Sequence, residues 1–480
     1  MSKQSGKKAK LQEPVRAQKI YESALGIGVF ILVLWHMLLS MGRYLIEYYN
    51  TVRPYECWFA LLLLAAALVY LLFTHWFWPE TTYRIKDFFR KLFSRDQIFC
   101  MVLFVWYLIS TLVNQVMNES NYFKANDWWI FDTGINALVL FSLPSVLSPQ
   151  KAKRTIEWLL HAVSLFGLVV AVYALWNLFA LNIVTLPSGQ QIGMTASLMF
   201  CLACHYNITG AIALALILIA FYMIATQKWA LKIPYLVALI IHTYILMLSN
   251  SRGAFVACLA AYAISIFLIV WHKLKDRKQI IRWGASAAAA LAAAALLWGM
   301  RYLAFQLFDA VTHFSELIGQ SGLSGEEVRE LNNLSGREGV WLSALRTIVA
   351  SPQNFIFGVT PVAVTQNLVS VGKLHFEAAH AHNEILQMGV CFGVPMMVAY
   401  VGYHVSMCAK SVKLGFLAGD DHFKGVYILP VVFLAMMILN LVEAYLTGYF
   451  SIMACLFFLF CGWMNALTKK SPGSRRQAKK

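Results

Sequence analysis

Two histidines, an asparagine and a glutamate fall within five residues at His380-Ala381-His382-Asn383-Glu384, directly before the apolar run ILQMGVCFGVPMMVAYVGY. Groups that can move protons are costly beside lipid and usually have a task there. His382, with an imidazole whose ordinary pKa is near ~6.5, suits a general base for a hydroxyl nucleophile. Asn383 is a natural N-cap for the helix that the apolar run would form. A helix N-terminus is in turn favourable for anions. His375, Glu377 and Glu384 lie in the same stretch and raise the question of a metal. The spacing is not HExxH, however, and residues at i and i+2 point apart on a helix, so the histidines converge only if the backbone is extended. The segment is therefore read without a metal. His380 leaves open which of the two histidines acts.

Two arginines in apolar surroundings carry a second kind of chemistry. Arg252 stands in SNSRGAF, residues 249–255. Ser249, Ser251 and Gly253 would let backbone approach a phosphate, and the planar guanidinium fork matches phosphate oxygens. The bland alternative is an arginine reaching out to lipid headgroups. Arg337 stands in LSGREGVWLSALRTIVASP, residues 334–352. There Ser335 and Glu338 read as a capping box opening an amphipathic helix that Pro352 closes. A cation in a first helical turn is disfavoured by some tenths of a kcal/mol, a cost that disappears if an anion shares the site. Arg337 is thus a second phosphate-ligand candidate, while Arg346 reads as a solvated or structural charge. Asn207, in His205-Tyr206-Asn207, and Glu443, near Tyr445 and Tyr449, are further polar groups in apolar segments. Glu443 needs a partner, and one of the arginines is the natural choice. Cys201-x-x-Cys204-His205 matches the haem-attachment pattern but reads as a chance match, because nothing around it forms a soluble haem pocket.

The elements that must position these residues are membrane helices. Of 480 residues, 60% are hydrophobic and 13% charged, with a mean hydropathy of +0.63. Soluble domains average about 45–50% apolar and about 25% charged. The nine cysteines are scattered, mostly in apolar runs, where they behave as small hydrophobes. Apolar runs near 24–41, 56–74, 98–116, 129–148, 155–181, 207–226, 233–250, 253–272, 281–300, 383–409, 425–443 and 448–467 predict an all-α polytopic membrane protein of about 12 transmembrane helices. The organisation expected is a basic tail over 1–23, helices one to nine over 24–300, a helical loop over 301–382, helices ten to twelve over 383–467, and a second basic tail over 468–480. No cleavable signal is expected before the first span. If both termini are cytoplasmic, 30 of the 39 Lys and Arg residues fall on the cytoplasmic side and nine on the other, alternating loop by loop. The net charge of +16 is then explained by anionic lipid, with no nucleic acid needed. The same count puts 301–382 and HAHNE on the outer face of the cytoplasmic membrane.

Taken in order, these pieces resemble the O-antigen ligase and O-antigen polymerase superfamily of integral-membrane glycosyltransferases. The resemblance rests on Ser251-Arg252-Gly253, Arg337 with Trp341, Ser351-Pro352, Phe357-Gly358, His382-Asn383, Leu386-Gln387 and Gly393, with Asn207 opening an earlier span. It covers the layout from about residue 200 onward; the earlier spans fit by number only. The resemblance implies transfer of a glycan from an undecaprenyl-diphosphate carrier to a hydroxyl of a glycan, lipid or protein acceptor, with inversion and without a cofactor or an obligatory metal. It implies that Arg252 and Arg337 bind the diphosphate and that His382 activates or binds the acceptor, with Ser251, Asn383, His380, Asn207 and Glu443 in support. A twelve-span transporter or a flippase is the rival. Transporters of that size show internal repeats and broken helices in matching positions; here no repeat is evident and the long loop divides the spans nine and three.

Overall fold

A computed structural model describes residues 95–118, 149–179, 206–317, 337–417, 428–445 and 452–468, three short strands between 184 and 200, and single positions within 23–35, 62–65 and 130–141. The described residues are overwhelmingly helical: α1 (Arg95–Asn118), α2 (Pro149–Phe179), α3 (Tyr206–Thr226), α4 (Trp229–Leu248), α5 (Arg252–Lys273), α6 (Gln279–Leu317), α7 (Arg337–Val349), α8 (Pro352–Phe357), α9 (Val364–Ser370), α10 (Glu384–Phe392), α11 (Val394–Leu417), α12 (Leu429–Asn440) and α13 (Ile452–Thr468). One departure from the all-α expectation is a small antiparallel meander, β1 (Val184–Thr185), β2 (Gln191–Thr195) and β3 (Leu198–Phe200), inserted between α2 and α3. It pairs Val184 with Ile192 and Met194 with Met199.

Among the described residues, six helices are long and apolar enough to cross a membrane: Asp96–Met117, Ala152–Trp176, Tyr206–Thr226, Trp229–Leu248, Arg252–Lys273 and Gln279–Leu307. This is a multi-pass membrane protein. The runs expected near 24–41, 56–74 and 129–148 lie almost wholly outside the described residues. The last two expected spans appear as shorter apolar helices, α12 and α13. Two boundaries differ from expectation. α6 continues through residue 300 to Leu317, so the ninth helix enters the segment read as loop. The tenth expected span is two helices, α10 and α11, parted at Gly393.

Chemistry explains the packing order. α3 is apolar on every side and is mostly buried, as a helix of that pattern must be. It packs against α2, α4 and α5. Gly210 on α3 allows the approach to α5, since a Cβ there would come within 2.6 Å of the Ser251 Cβ. Close approach over small residues is how membrane helices associate when lipid removes the hydrophobic drive. α6 instead shows Ile280, Leu291, Leu296 and Leu303 to its surroundings.

The break in the tenth span is built from two glycines. Gly358 (φ 69°, ψ −169°) and Gly393 (φ 84°, ψ 170°) both occupy a region of backbone space that is essentially reserved for glycine. They lie back to back. A Cβ on Gly358 would strike the Cys391–Phe392 backbone, and one on Gly393 would strike the Ile356 carbonyl. Broken backbone in a membrane protein must find its hydrogen bonds locally. The amides of Val359 and Thr360 donate to the carbonyls of Val390 (2.8 Å) and Cys391 (3.1 Å). On α1, Trp106 Nε1 donates to Phe392 O at 2.8 Å, Ser110 Oγ to Phe357 O at 2.5 Å, and Asn114 Nδ2 to Gly358 O at 3.0 Å. At the other end of α11, Lys410 Nζ is paired with both oxygens of Asp96 on α1, at 2.6 and 2.5 Å. These contacts hold α10 short and rigid, with its N-terminus at His382-Asn383.

Candidate functional site

Asn383 caps α10 as its residue type requires. Its Oδ1 accepts the Leu386 amide at 3.1 Å, and its Nδ2 donates to Leu441 O at 2.9 Å, tying the cap to the end of α12. The residues before it are not helical. His382 has a positive φ of 47°, uncommon for a residue with a side chain. Its neighbours hold that conformation. The Ala381 amide donates to Gln387 Oε1 at 2.8 Å, the His382 amide to His380 Nδ1 at 3.1 Å, and Trp341 Nε1 on α7 to His382 O at 3.3 Å.

This bend brings the two imidazoles together, with ring centroids 4.0 Å apart. Helical spacing would have separated them; the local bend does the opposite. Beside them lies Glu443, three residues past the end of α12 and only 1% exposed. One carboxylate oxygen, Oε2, lies 3.1 Å from His382 Nδ1. The other accepts from Nη2 of Arg337, in the first turn of α7. Burial alone would raise the Glu443 pKa, but the hydrogen bond and charge of His382 and the charges of Arg337 and His380 outweigh it and hold the carboxyl below its ordinary value.

The bonding fixes the roles of the ring nitrogens. An ionised Glu443 accepts, so His382 Nδ1 carries the proton and donates, which leaves Nε2 of the neutral ring with a lone pair. His380 Nδ1 accepts an amide proton and is thereby engaged in shaping the bend. His382 is a quarter exposed at its side chain, and with Nδ1 donating to Glu443 its Nε2 can serve as a base. Arg337–Glu443–His382 thus has the form of a general base oriented by a buried carboxylate.

His380, His382 and Glu443 each place one ligand-type atom within 4.8 Å of the others, a grouping that could hold a metal ion. Against an ion, the Glu443 carboxylate is already shared between a guanidinium and an imidazole.

The Arg252 turn is adjacent. Gly253, at the start of α5, packs so closely on the Glu443 segment that a Cβ there would lie 2.6 Å from Val442 Cγ2 and 3.8 Å from Glu443 Cγ. Ser251 is the N-cap residue of α5 but makes no side-chain cap bond; its Oγ donates to Asn207 Oδ1 on α3 at 3.1 Å. Asn207 and Ser251 are both buried, so both serve as internal props for this corner. Asn250 adopts φ 54° and accepts from Arg301 Nη2 on α6 at 2.9 Å.

The structure therefore gathers Arg252, Arg337, His380, His382, Asn383, Ser251, Asn207 and Glu443 at one corner, where α3, α5, α7, α10 and the end of α12 meet. The partners Ser335, His205 and Tyr449 lie outside the described residues, and Tyr445 is buried. Arg346 and Glu338 are exposed and stand apart from the relay. Sequence reading passed over Arg301, counting it only as an external charge; an arginine directly after the apolar run 283–300 was the signal.

Residues 236–401 match the family model described as O-antigen ligase. The matched segment holds Arg252, Arg301, Arg337, His380 and His382 and stops short of Glu443. It supports the resemblance to the O-antigen ligase and polymerase superfamily and, with it, glycosyl transfer of that general kind. No curated protein matches the chain significantly.

Proposed function

We propose that this protein transfers a glycan from an undecaprenyl-diphosphate carrier to an acceptor hydroxyl on the outer side of the cytoplasmic membrane, as an O-antigen ligase or a polysaccharide polymerase. The observation that carries the reading is the hydrogen bond of His382 to a buried Glu443 that is itself held by Arg337. Such an arrangement aims one imidazole nitrogen outward as a base beside an arginine-bearing helix N-terminus. In the reaction, the acceptor O–H gives its proton to His382 Nε2 as its oxygen forms a bond to the sugar C1. The bond from C1 to the diphosphate oxygen breaks on the opposite face, and the configuration inverts. Undecaprenyl diphosphate leaves with the electron pair, and arginine charge stabilises it. Glu443 keeps the imidazole in register and offsets its positive charge while it holds the proton.

The acceptor is a glycan, a lipid or a protein, and membrane lipids form the setting of the donor's tail. No metal or cofactor enters the proposed step. In this reading both termini are cytoplasmic, which the distribution of Lys and Arg supports. Arg252 is assigned to the donor diphosphate. Arg337, expected as its companion, is assigned first to Glu443, on which its guanidinium rests.

The test is transfer by the purified full-length protein in lipid vesicles, with a lipid-linked glycan donor. His382→Ala and Arg252→Ala should abolish product while the protein remains in the membrane. Transfer that both variants carry out as well as wild type would refute the residue assignment; no transfer by wild type would favour a transporter or flippase and sink the enzyme reading. Loss of the protein in cells separates the two activities: single repeat units mean a polymerase, and long chains left on the carrier mean a ligase.

A further inference from the structure

The segment from Arg337 to Leu374, expected as part of a loop outside the membrane, is carried by its packing to the depth of the spans. α10 and α11 run antiparallel to α1: Phe392 O accepts from Trp106, Tyr403 stacks on Phe99 at 4.2 Å, and Lys410 pairs with Asp96. α7 descends beside α10 in the same direction. Trp341 is bonded to His382 O, and Ile348 lies so close to Gly389 that a Cβ there would meet its Cδ1 at 2.7 Å. α8 then reaches Ser110 and Asn114 on α1 through Phe357 O and Gly358 O, and the Phe357 ring stacks on Trp106 at 5.7 Å. The chain returns along α7. Thr347 Oγ1 donates to Asn367 O at 3.3 Å and Ser343 Oγ to Leu368 O at 2.6 Å, while Gly339 faces Leu374. The path is a hairpin with α8 at its turn.

α1 sets the depth of that turn. Its apolar span ends at Met117. Ser110 and Trp106 stand seven and eleven residues before that end, roughly 10 and 16 Å along a helix. One leaflet of hydrocarbon is about 15 Å thick. The side chains at this depth are arranged inside out. Ser343 and Thr347 are buried. Gln353 and Asn354 on α8 turn inward and donate to Asn114 Oδ1 at 3.3 Å and Thr347 O at 3.0 Å. Leu342, Leu345, Val349, Phe355 and Ile356 are exposed instead. Water favours the reverse order, whereas hydrocarbon favours this one. α1 likewise shows Ile109, Leu112 and Val116 to its surroundings at this level. The non-helical backbone after Phe357, which lipid would not tolerate, is buried and bonded to α10. Arg346, the charge nearest the turn, sits on a helix whose side chains lean toward its N-terminus, so its guanidinium reaches away from the turn toward the headgroups. We infer that residues 337–374 form a re-entrant hairpin dipping into one leaflet, with the apolar face of α7 and α8 against phospholipid acyl chains and Arg346 at the level of their phosphates. This lipid contact does not depend on the chemistry at His382.

The experiment attaches a nitroxide spin label to Phe355→Cys, Leu342→Cys and Glu377→Cys, each in the full-length protein in phospholipid vesicles. It reads collision rates with oxygen, which concentrates in hydrocarbon, and with a water-soluble nickel chelate. Wild type taken through the same labelling supplies the background of the native cysteines, which are buried wherever they are described. Glu377 is exposed beyond the hairpin and reports water. At Phe355→Cys the nickel rate should be at least about tenfold lower than at Glu377→Cys, because moving a polar solute into hydrocarbon costs more than one decade. The oxygen rate there should be higher. Leu342→Cys, nearer the start of α7, should fall between the two. A nickel rate as high at Phe355→Cys as at Glu377→Cys would mean a solvated loop and overturn the hairpin. Low rates with both reagents would mean that protein, such as a second copy of the chain, covers this face, and would overturn the lipid contact. Ile356→Cys repeats the reading if Phe355→Cys melts below wild type.

Discussion

Glu443→Gln isolates what the relay does. The amide is the same size as the carboxylate, so the buried position stays filled. Its carbonyl oxygen can still accept from Arg337. Its NH₂ then faces His382 Nδ1 across the present 3.1 Å. An NH₂ cannot accept, so Nδ1 must become the acceptor and the ring proton moves to Nε2. The nitrogen that should receive the acceptor's proton then already carries one. A wrong-tautomer change of this kind costs a triad enzyme roughly 10⁴ in rate, and transfer should fall by about 10³–10⁴-fold. The stability cost is smaller. Replacing the charged acceptor of two hydrogen bonds by a neutral one, with Arg337 11% exposed at its side chain, should cost about 1–3 kcal/mol. The assay is single-turnover release of undecaprenyl diphosphate in vesicles, with a thermal melt on the same preparation. Because both residues act through one nitrogen, adding His382→Ala to Glu443→Gln should lower the rate little further. Transfer within tenfold of wild type in Glu443→Gln, or full additivity in the double variant, would refute the relay.

Acid stability should carry the signature of the same carboxyl. Its folded pKa lies below the ordinary 4.5, so its ionisation stabilises the fold at pH above that value, and the contribution fades as pH falls through the depressed folded value. Wild type should therefore lose melting temperature on acidification more steeply than Glu443→Gln; parallel profiles would show that Glu443 contributes nothing by this route. Gly393→Ala should destabilise by at least about 1–3 kcal/mol, the typical cost of a strained backbone conformation, with the clash against the Ile356 carbonyl added; a variant that melts with wild type would show that the break can relax. Stripping divalent metals with a chelator should leave transfer unchanged. Activity lost and then restored by zinc would mean that His380, His382 and Glu443 hold an ion.

Some of this was written in local sequence. A helix that crosses lipid needs about 20 apolar residues because its backbone must be satisfied within itself, so α3, α4 and α5 stand close to where hydropathy places them. Asn383 is legible as a cap because a cap acts within three residues of itself, and Arg337 is legible in a first turn for the same reason. The need of Glu443 for a partner was legible too, from the cost of a lone charge at a membrane. Its choice was not. Arg337 and His382 lie 106 and 61 residues away in the chain, and no periodicity encodes a contact at that range. The break at Gly393 was hidden because the run around it is apolar throughout; it exists only because Gly358 and the α1 side chains meet it from distant segments. The pairing of His380 with His382 depended on a backbone bend at φ 47° that Gln387 and Trp341 enforce. Arg301 looked like one charge among nine on its face until packing of α6 on α5 laid it against Asn250 and Phe255. Sequence alone determined which residues could do the chemistry and that they needed partners, since residue type and local spacing set both. Tertiary structure alone decided which partners they have, because those contacts join segments whose proximity arises only when the helices pack.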